Sequence, residues 1–155
     1  MFYQTDRALG PRIQKYGCYF LCLAYFREKH LRYKWSAMEL DTLWADAIKA
    51  GIISGDLNND GDFDDGGELE ILQPQQLCRL MGLPLKYVDG HFPLGDPETL
   101  APDRFVITAW YNPATKYTHF VVGSKRPVEY DPIKWGSRTV HEGEPKSCRV
   151  YKILV

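Results

Sequence analysis

The most apolar stretch of the chain, IQKYGCYFLCLAYF, covers residues 13–26. From residue 17 to about residue 30 the apolar side chains leave hardly any polar face, which is the pattern of a helix that is buried on every side. A helix of this kind has to lie at the centre of the fold, with the other elements packed around it. The stretch also carries Cys18 and Cys22 one helical turn apart, so it is either a plain core helix or a core helix with a reactive end.

The rest of the chain divides into a helical part and a strand-rich part. A helix is predicted over 36–51, because Ser36 and Glu39 have the spacing of a capping box. Another helix is predicted to begin at Pro74, a residue favoured in the first helical turn. Runs rich in β-branched and aromatic residues predict strands at 84–88, 104–110, 117–123, 127–131 and 148–155. Helices followed by a run of adjacent strands predict an α+β fold with an antiparallel sheet.

Length and charge narrow the classes of function. A chain of 155 residues is expected to form a single domain, 1–155, with an acidic insertion at about 51–73. A net charge of −1 and the lack of a basic run give no reason to expect nucleic-acid binding. The apolar run at 17–26 is too short to span a membrane. The N-terminus lacks the pattern of a secretory signal, which predicts a cytoplasmic protein unless a leader has already been removed.

The four cysteines, at positions 18, 22, 78 and 148, form no C-x-x-C pair, so neither a structural zinc site nor a disulfide framework is expected. Most of them are expected to be small buried residues. Cys18 differs, because it lies at the predicted start of the buried helix, where unpaired N–H groups and the helix dipole stabilise a thiolate. Cys22 lies one turn further in, where this effect fades. Cys18 is therefore the better candidate for a nucleophile.

A nucleophilic thiol needs a base within hydrogen-bonding reach and a group that orients the base. His119 lies within the predicted strand YTHFVV, a rigid position for a base, although taken alone it has the pattern of a buried core histidine. If this strand forms a hairpin with PVEYD through a three-residue turn centred on Lys125, His119 faces Asp131. In the same register Val122 faces Val128. A two-residue turn would shift the register by one and separate His119 from the carboxylate.

Acyl transfer through a thiolate also needs donors for the oxyanion that develops in the transition state. Gln14, four residues before Cys18, could place its amide beside the thiol, together with the backbone N–H of Cys18. Taken alone, Gln14 is an ordinary polar loop residue. Only its place beside the other three candidate residues favours the catalytic role.

Gln14, Cys18 and Cys22 are followed by HFVV at 119–122 and by the Asp-Pro pair at 131–132. In this order the motifs resemble those of the papain-like bacteriocin-processing peptidases, the double-glycine leader peptidases. The resemblance covers residues 13–26 and 117–132. It implies a papain-like fold, in which a central N-terminal helix packs on an antiparallel β-sheet.

The resemblance also implies a role for each matching residue. These roles are oxyanion donor for Gln14, nucleophile for Cys18, base for His119 and orienting group for Asp131. The family commonly has an acidic residue just before the nucleophile and a glycine just after it, where this chain has Gly17 and Tyr19. The bulk of Tyr19 suggests an alternative, a non-catalytic papain-like module whose aromatic groove binds a peptide without cutting it.

The stretch GDLNNDGDFDDGGELE at 55–70 is strongly acidic. Its spacing matches the first positions of an EF-hand-like calcium loop, but Gly67 stands at the twelfth position and the closing acid comes one residue late. A structural Ca²⁺ site and a solvated acidic loop both remain open. The calcium ligands would be Asp56, Asn58, Asp60, Asp62, Asp64 and Glu68. Calcium prefers hard oxygen ligands, so it has no expected part in activating a thiol.

The leading hypothesis is a papain-like cysteine hydrolase of bacterial or phage type. It cleaves an amide, in a peptide or a peptidoglycan stem, through a thioester intermediate and needs no cofactor for catalysis. The alternatives are the non-catalytic binding module and a calcium-stabilised interaction domain built around the acidic loop.

Overall fold

The computed structural model describes residues 1–54, 71–124, 128–133 and 136–154. Within these residues the protein is an α+β structure with a four-stranded antiparallel sheet, as the sequence predicts. The helices are α1 (Pro11–Tyr16), α2 (Cys18–Leu31), α3 (Ala37–Lys49), α4 (Pro74–Leu80), α5 (Pro97–Leu100) and α6 (Arg138–Glu142). The strands are β1 (Leu85–Phe92), β2 (Arg104–Asn112), β3 (Tyr117–Val122) and β4 (Glu144–Ile153). Among the helices that the structure describes, none has the length and apolarity needed to cross a lipid bilayer.

The strands lie side by side in the order β1, β4, β2, β3, and each neighbouring pair is antiparallel. The last strand of the chain therefore lies inside the sheet, and β3 forms one of its edges. Ile107 of β2 pairs with Arg149 on one side and with Val122 on the other. Directly opposed residues share a sheet face, so alternation places Phe120 and Tyr151 on this face as well.

Helix α2 begins at the predicted residue, Cys18, because Gly17 separates it from α1. The backbone N–H of Gly17 donates to the carbonyl of Ile13, which ends α1. A Cβ atom at position 17 would lie 2.5 Å from that carbonyl oxygen, closer than any side chain tolerates. Gly17 stands where the double-glycine leader peptidases commonly have an acidic residue. The tight junction between α1 and α2 requires the glycine here.

The central position predicted for α2 is confirmed, since its residues from Tyr19 to Ala24 are all buried. The helix packs on the sheet face described above through aromatic contacts. Tyr19 meets Phe120 edge to face at 4.9 Å between ring centroids, and Phe26 meets Phe105 at 5.1 Å. Aromatic pairs in this arrangement stabilise a core beyond the area that they bury. The start of α2 is therefore held firmly against β3.

The two other predicted helices are also confirmed. Ser36 caps α3 and forms the expected reciprocal capping box with Glu39. Helix α4 begins at Pro74, as predicted. Three short helices were not predicted. They are α1, which directly precedes α2, α5, capped by the Asp96 side chain, and α6, capped by Ser137.

The strand predicted at 127–131 does not form within the described residues of that segment. Tyr130 alone makes an isolated bridge, and its partner is Val122. The predicted register, with Val122 opposite Val128, is therefore wrong by two residues. The pairing does not continue past Tyr130 because the next residue, Asp131, accepts hydrogen bonds from the backbone N–H groups of Ile133 and Ser137. Local bonds of this kind favour a turn over a continued strand.

Candidate active site

Cys18 is the first residue of α2 and is partly exposed. As the first helical residue it lies where the backbone N–H groups have no partner inside the helix and where the dipole favours negative charge. It lines a cleft of about 1240 Å³ between α1, the start of α2, β3 and the loop before α6. The same cleft is lined by Gln14 and His119. The structure thus brings three of the four candidate catalytic residues to one surface depression.

The thiol of Cys18 is hydrogen-bonded to His119. Burial by itself raises the pKa of the Cys18 thiol, but the hydrogen bond and the positive charge of His119 act in the opposite direction. The backbone N–H groups of Phe120 and Tyr19 also donate to the sulfur. These contacts outweigh burial, and the pKa of Cys18 lies below its ordinary value. A thiol with this environment is a thiolate over more of the neutral range than a free cysteine.

His119 Nε2 lies 2.7 Å from Asp131 Oδ1. Both side chains are largely buried, at 7% and 9% exposure. The contact that the sequence predicts is therefore present, although the predicted register was wrong. Because Val122 lies opposite Tyr130, Asp131 is placed opposite Val121, on the same face as His119 and diagonal to it. A two-residue shift keeps the face, which is why the contact is retained.

The carboxylate of Asp131 is fixed by three donors. Oδ1 accepts from His119 and from the backbone N–H of Ile133, and Oδ2 accepts from the backbone N–H of Ser137 at 2.9 Å. Burial raises the pKa of Asp131, but the hydrogen bond and charge of His119 and these two backbone donors hold it below its usual range. Asp131 is therefore an oriented anion with little freedom to rotate away from the imidazole.

His119 lies between two acceptors. Burial lowers the pKa of its imidazole, but Asp131 and Cys18 together raise that pKa to about 9. Since Nε2 faces Asp131, the other ring nitrogen, Nδ1, is the one available to Cys18. A lowered thiol pKa beside a raised imidazole pKa favours a thiolate and imidazolium pair near neutral pH. A pair of this kind can supply both a nucleophile and a proton for a leaving group.

Gln14 lies on α1, and its side-chain nitrogen donates to the carbonyl of Leu9 at 2.6 Å. This bond anchors the amide and uses one of its two N–H donors. The residue lines the same cleft as Cys18. Its catalytic role stays a prediction, supported by this placement.

Cys22 lies in the core with no exposed surface. Its thiol donates to the backbone carbonyl of Phe120 at 3.4 Å. Burial, followed by the negative charge of Cys18 and Asp131, raises the pKa of Cys22 well above its ordinary value. Its prediction as a buried scaffold residue is confirmed. The two cysteines of α2 thus hold the same edge-strand residue, since Cys18 accepts from the N–H of Phe120 and Cys22 donates to its carbonyl.

Tyr19 does not stand between Cys18 and His119. Its ring is 8% exposed and its hydroxyl is hydrogen-bonded to the hydroxyl of Tyr151 at 2.6 Å. It forms part of the cleft wall and of the contact between helix and sheet. The aromatic bulk that suggested a blocked site is therefore used for packing.

Two contributors to the site were not predicted. The backbone N–H of Ser137 holds Asp131, but it lies six residues further along the chain and no sequence motif marks it. Arg149 lines the same cleft from β4. Alternation along CRVYKILV places it on the face of Tyr151, and a cation on a core-facing position was a signal that the sequence already carried.

The six predicted calcium ligands, Asp56, Asn58, Asp60, Asp62, Asp64 and Glu68, lie outside the described residues. Within residues 1–54, 71–124, 128–133 and 136–154, no group of three or more His, Cys, Asp or Glu side chains is placed to hold a metal ion. The calcium site stays a prediction from the spacing of the loop.

A family model described as "Protein of unknown function, DUF261" matches residues 1–59. The matched segment contains Gln14, Cys18 and Cys22 but ends before His119 and Asp131. No match was found among the curated proteins or among the solved structures. The function therefore has to be argued from the site itself.

Proposed function

We propose that the protein is a papain-like cysteine hydrolase that cleaves an amide bond, in a peptide or a peptidoglycan stem, through a thioester intermediate. The observation that carries the proposal is the connected chain of contacts from Cys18 to His119 to Asp131. Three residues from separate segments of the chain meet in the order nucleophile, base and orienting carboxylate, and Cys18 and His119 lie at the wall of a cleft. This arrangement is the recurring requirement of nucleophilic catalysis by a thiol.

The acylation step follows from the geometry. The Cys18 thiolate attacks the carbonyl carbon of the substrate amide and forms a C–S bond, and the carbonyl electrons move onto the oxygen. The second N–H of the Gln14 amide and the backbone N–H of Cys18 supply donors to this oxyanion. When the tetrahedral intermediate collapses, the C–N bond breaks and the imidazolium of His119 transfers its proton to the departing amine.

Deacylation uses the same groups, but His119 now accepts a proton where it donated one before. Neutral His119 accepts a proton from water, which attacks the thioester carbonyl and breaks the C–S bond. The products are a carboxylic acid and the regenerated thiolate and imidazolium pair. Throughout both steps Asp131 keeps the ring oriented with Nδ1 toward the sulfur and stabilises the imidazolium.

The arrangement of elements also supports the papain-like assignment. The nucleophile lies at the N-terminus of a buried helix, the base lies on an antiparallel strand packed against that helix, and the oxyanion donor precedes both. The placement of Tyr19 favours catalysis over a module that only binds, because its side chain is bonded to Tyr151 and does not separate Cys18 from His119.

Site-resolved alkylation tests the proposal. The protein is treated with iodoacetamide at neutral pH, and mass spectrometry follows the modification of each cysteine over time. We expect Cys18 to react about 100-fold faster than Cys78, whose pKa burial raises to about 12. Equal rates for Cys18 and Cys78 would remove the basis for a catalytic thiol.

Cleavage itself is tested with two substrates, a proteome-derived peptide library and purified peptidoglycan. New amino termini are counted after incubation with the wild type and with Cys18→Ala. The proposal is supported if the wild type cleaves either substrate and Cys18→Ala does not. A fast-reacting Cys18 without cleavage of either one favours the binding module.

A further inference from the structure

Arg149 occupies an unusual position for a cation. It lies on β4 opposite Ile107, on the sheet face that α2 covers, and it is half-buried. The next residue along the strand on this face, Tyr151, is fully buried. A charge on a core-facing position costs free energy unless it is compensated. Packing alone therefore does not explain an arginine at this position.

Among the described residues, the hydrogen-bond partners of the guanidinium are uncharged acceptors. One terminal nitrogen donates to the backbone carbonyl of Ser147 at 3.3 Å and to its hydroxyl at 2.7 Å. The other lies 3.4 Å from Nδ1 of His91, whose pKa is lowered by burial and by this arginine, so that it stays neutral and accepts. The group also lies over the ring of Phe120, 5.0 Å from its centroid. The guanidinium is thus held in one orientation.

No carboxylate of the described residues lies within ion-pair distance of Arg149. Arg138, which lines the same cleft, differs in this respect, because it is paired with Glu142 at 2.6 Å. An arginine has five N–H donors, and the contacts above use only some of them. The remaining donors form a fork that suits a carboxylate.

Arg149 also packs against β3, the strand that carries His119. It stacks on Phe120, the residue that follows His119 and whose N–H donates to the Cys18 sulfur. It lines the cleft that Cys18 and His119 also line, and a second pocket of about 270 Å³. A substrate held in this cleft can therefore contact both the thiol and this cation.

We propose that Arg149 binds a carboxylate of the substrate close to the scissile amide, which makes the substrate an acidic peptide. The inference rests on the proposed hydrolase function and specifies its substrate class. The carboxylate belongs either to an acidic side chain or to the end of a peptide. Both sources present the same group to the guanidinium, and the probes below separate them.

The test uses electrophilic peptides that differ in one charge. Chloroacetyl-Gly-Glu-amide and chloroacetyl-Gly-Gln-amide both lose chloride to the Cys18 thiolate as the C–S bond forms. Chloroacetyl-Gly-Gly with a free carboxylate, and its amide, make the same comparison for a peptide terminus. The rate of Cys18 modification is measured for the wild type, Arg149→Gln and Arg149→Lys, with Arg138→Gln as the matched control.

For the wild type, an acidic probe is expected to react on the order of tenfold faster than its neutral partner. This ratio should fall to about one in Arg149→Gln, take an intermediate value in Arg149→Lys, and stay unchanged in Arg138→Gln. The pair of probes that shows the preference identifies the source of the carboxylate. A thermal melt of each variant establishes that the fold is retained, and Arg149→Lys gives the comparison if Arg149→Gln unfolds.

Fast labelling of Cys18 with equal rates for acidic and neutral probes would overturn the inference and leave the hydrolase proposal standing. A preference that survives in Arg149→Gln would also overturn it, because another group would then be responsible. If no probe labels Cys18 faster than Cys78, both proposals fall together.

Discussion

Cys18 and Cys22 lie one turn apart on the same helix and touch the backbone of the same residue, Phe120, yet their environments are opposite. The pKa of Cys18 lies below its ordinary value, although burial opposes this, because His119 and backbone donors face the sulfur. Burial raises the pKa of Cys22 well above the ordinary value, and the negative charge of Cys18 and Asp131 adds to this effect.

The difference shows that the pKa of each thiol depends on what faces the sulfur and not on the helix alone. Helix α2 supplies both thiols with a rigid position against β3. Only the thiol at its first residue meets the imidazole, and that imidazole is itself held by Asp131. The thiol of Cys22, one turn further along the helix, donates to the Phe120 carbonyl, so Cys22 contributes to the packing of the core.

The two cysteines are expected to differ most in the effect of substitution by alanine. Cys18→Ala should abolish cleavage, because no other described thiol contacts His119. Cys22→Ala should retain cleavage but lower the free energy of unfolding by about 1–2 kcal/mol, through the lost bond to Phe120 and a small cavity. Activity and urea denaturation of both variants check this. A Cys18→Ala variant that still cleaves would contradict the comparison.

The next largest effect is expected from removing the charge that orients the base. Asp131→Asn should lower the rate of cleavage by roughly 10²–10⁴-fold, because His119 loses its anion and the thiolate loses its imidazolium partner. Glu129→Gln, two residues earlier in an exposed ion pair with Lys29, is the matched control and should keep the rate. Similar losses in both variants would show that the whole segment, and not the carboxylate of Asp131, is what matters.

A smaller effect, on stability, is expected at the junction before Cys18. Gly17→Ala should lower the free energy of unfolding by about 1–3 kcal/mol, because the added Cβ would lie 2.5 Å from the Ile13 carbonyl oxygen. Gly10→Ala is the control, since its Cβ would meet only the end of the Asp41 side chain, at 3.0 Å, and no backbone atom. Thermal unfolding compares the two. An equal loss of stability in both variants would mean that the junction between α1 and α2 is no more tightly packed than the start of α1.

The smallest effect is expected from the hydroxyl of Tyr19. Tyr19→Phe keeps the ring against Phe120 but removes the bond to Tyr151, so the free energy of unfolding should fall by only about 1 kcal/mol. The rate of Cys18 alkylation should stay the same, because the hydroxyl is bonded to Tyr151 and not to the thiol. A large gain in alkylation rate in Tyr19→Phe would show instead that Tyr19 restricts the site.

Much of the fold followed from the sequence, because local patterns determine it. The apolar run predicted α2, and the capping box at Ser36 predicted α3. The strand at 127–131 was predicted wrongly, because its apolar residues suggest a strand while Asp131 forms local bonds with the backbone of the following loop. The short helices α1, α5 and α6 carry too few apolar residues to give a periodic pattern.

For the site, the sequence identified the residue types and their order, but not all of their contacts. His119 and Asp131 meet, although the predicted register was wrong, because the error of two residues preserves the sheet face. The support of Asp131 by the Ser137 backbone depends on the path of a loop, which no spacing rule encodes. The same is true of Arg149, whose importance depends on the absence of an acidic partner among the described residues.

The pH dependence of Cys18 alkylation tests the central claim most directly, when it is measured for the wild type and for His119→Ala. In the wild type the alkylation rate should rise with pH at a midpoint below the 9.0 of a free thiol, because the imidazolium stabilises the thiolate until His119 itself deprotonates near pH 9. In His119→Ala burial is no longer opposed by that charge, so the midpoint should move above the free-thiol value. A common midpoint at or above that of a free thiol in both proteins would contradict the thiolate and imidazolium pair on which the account rests.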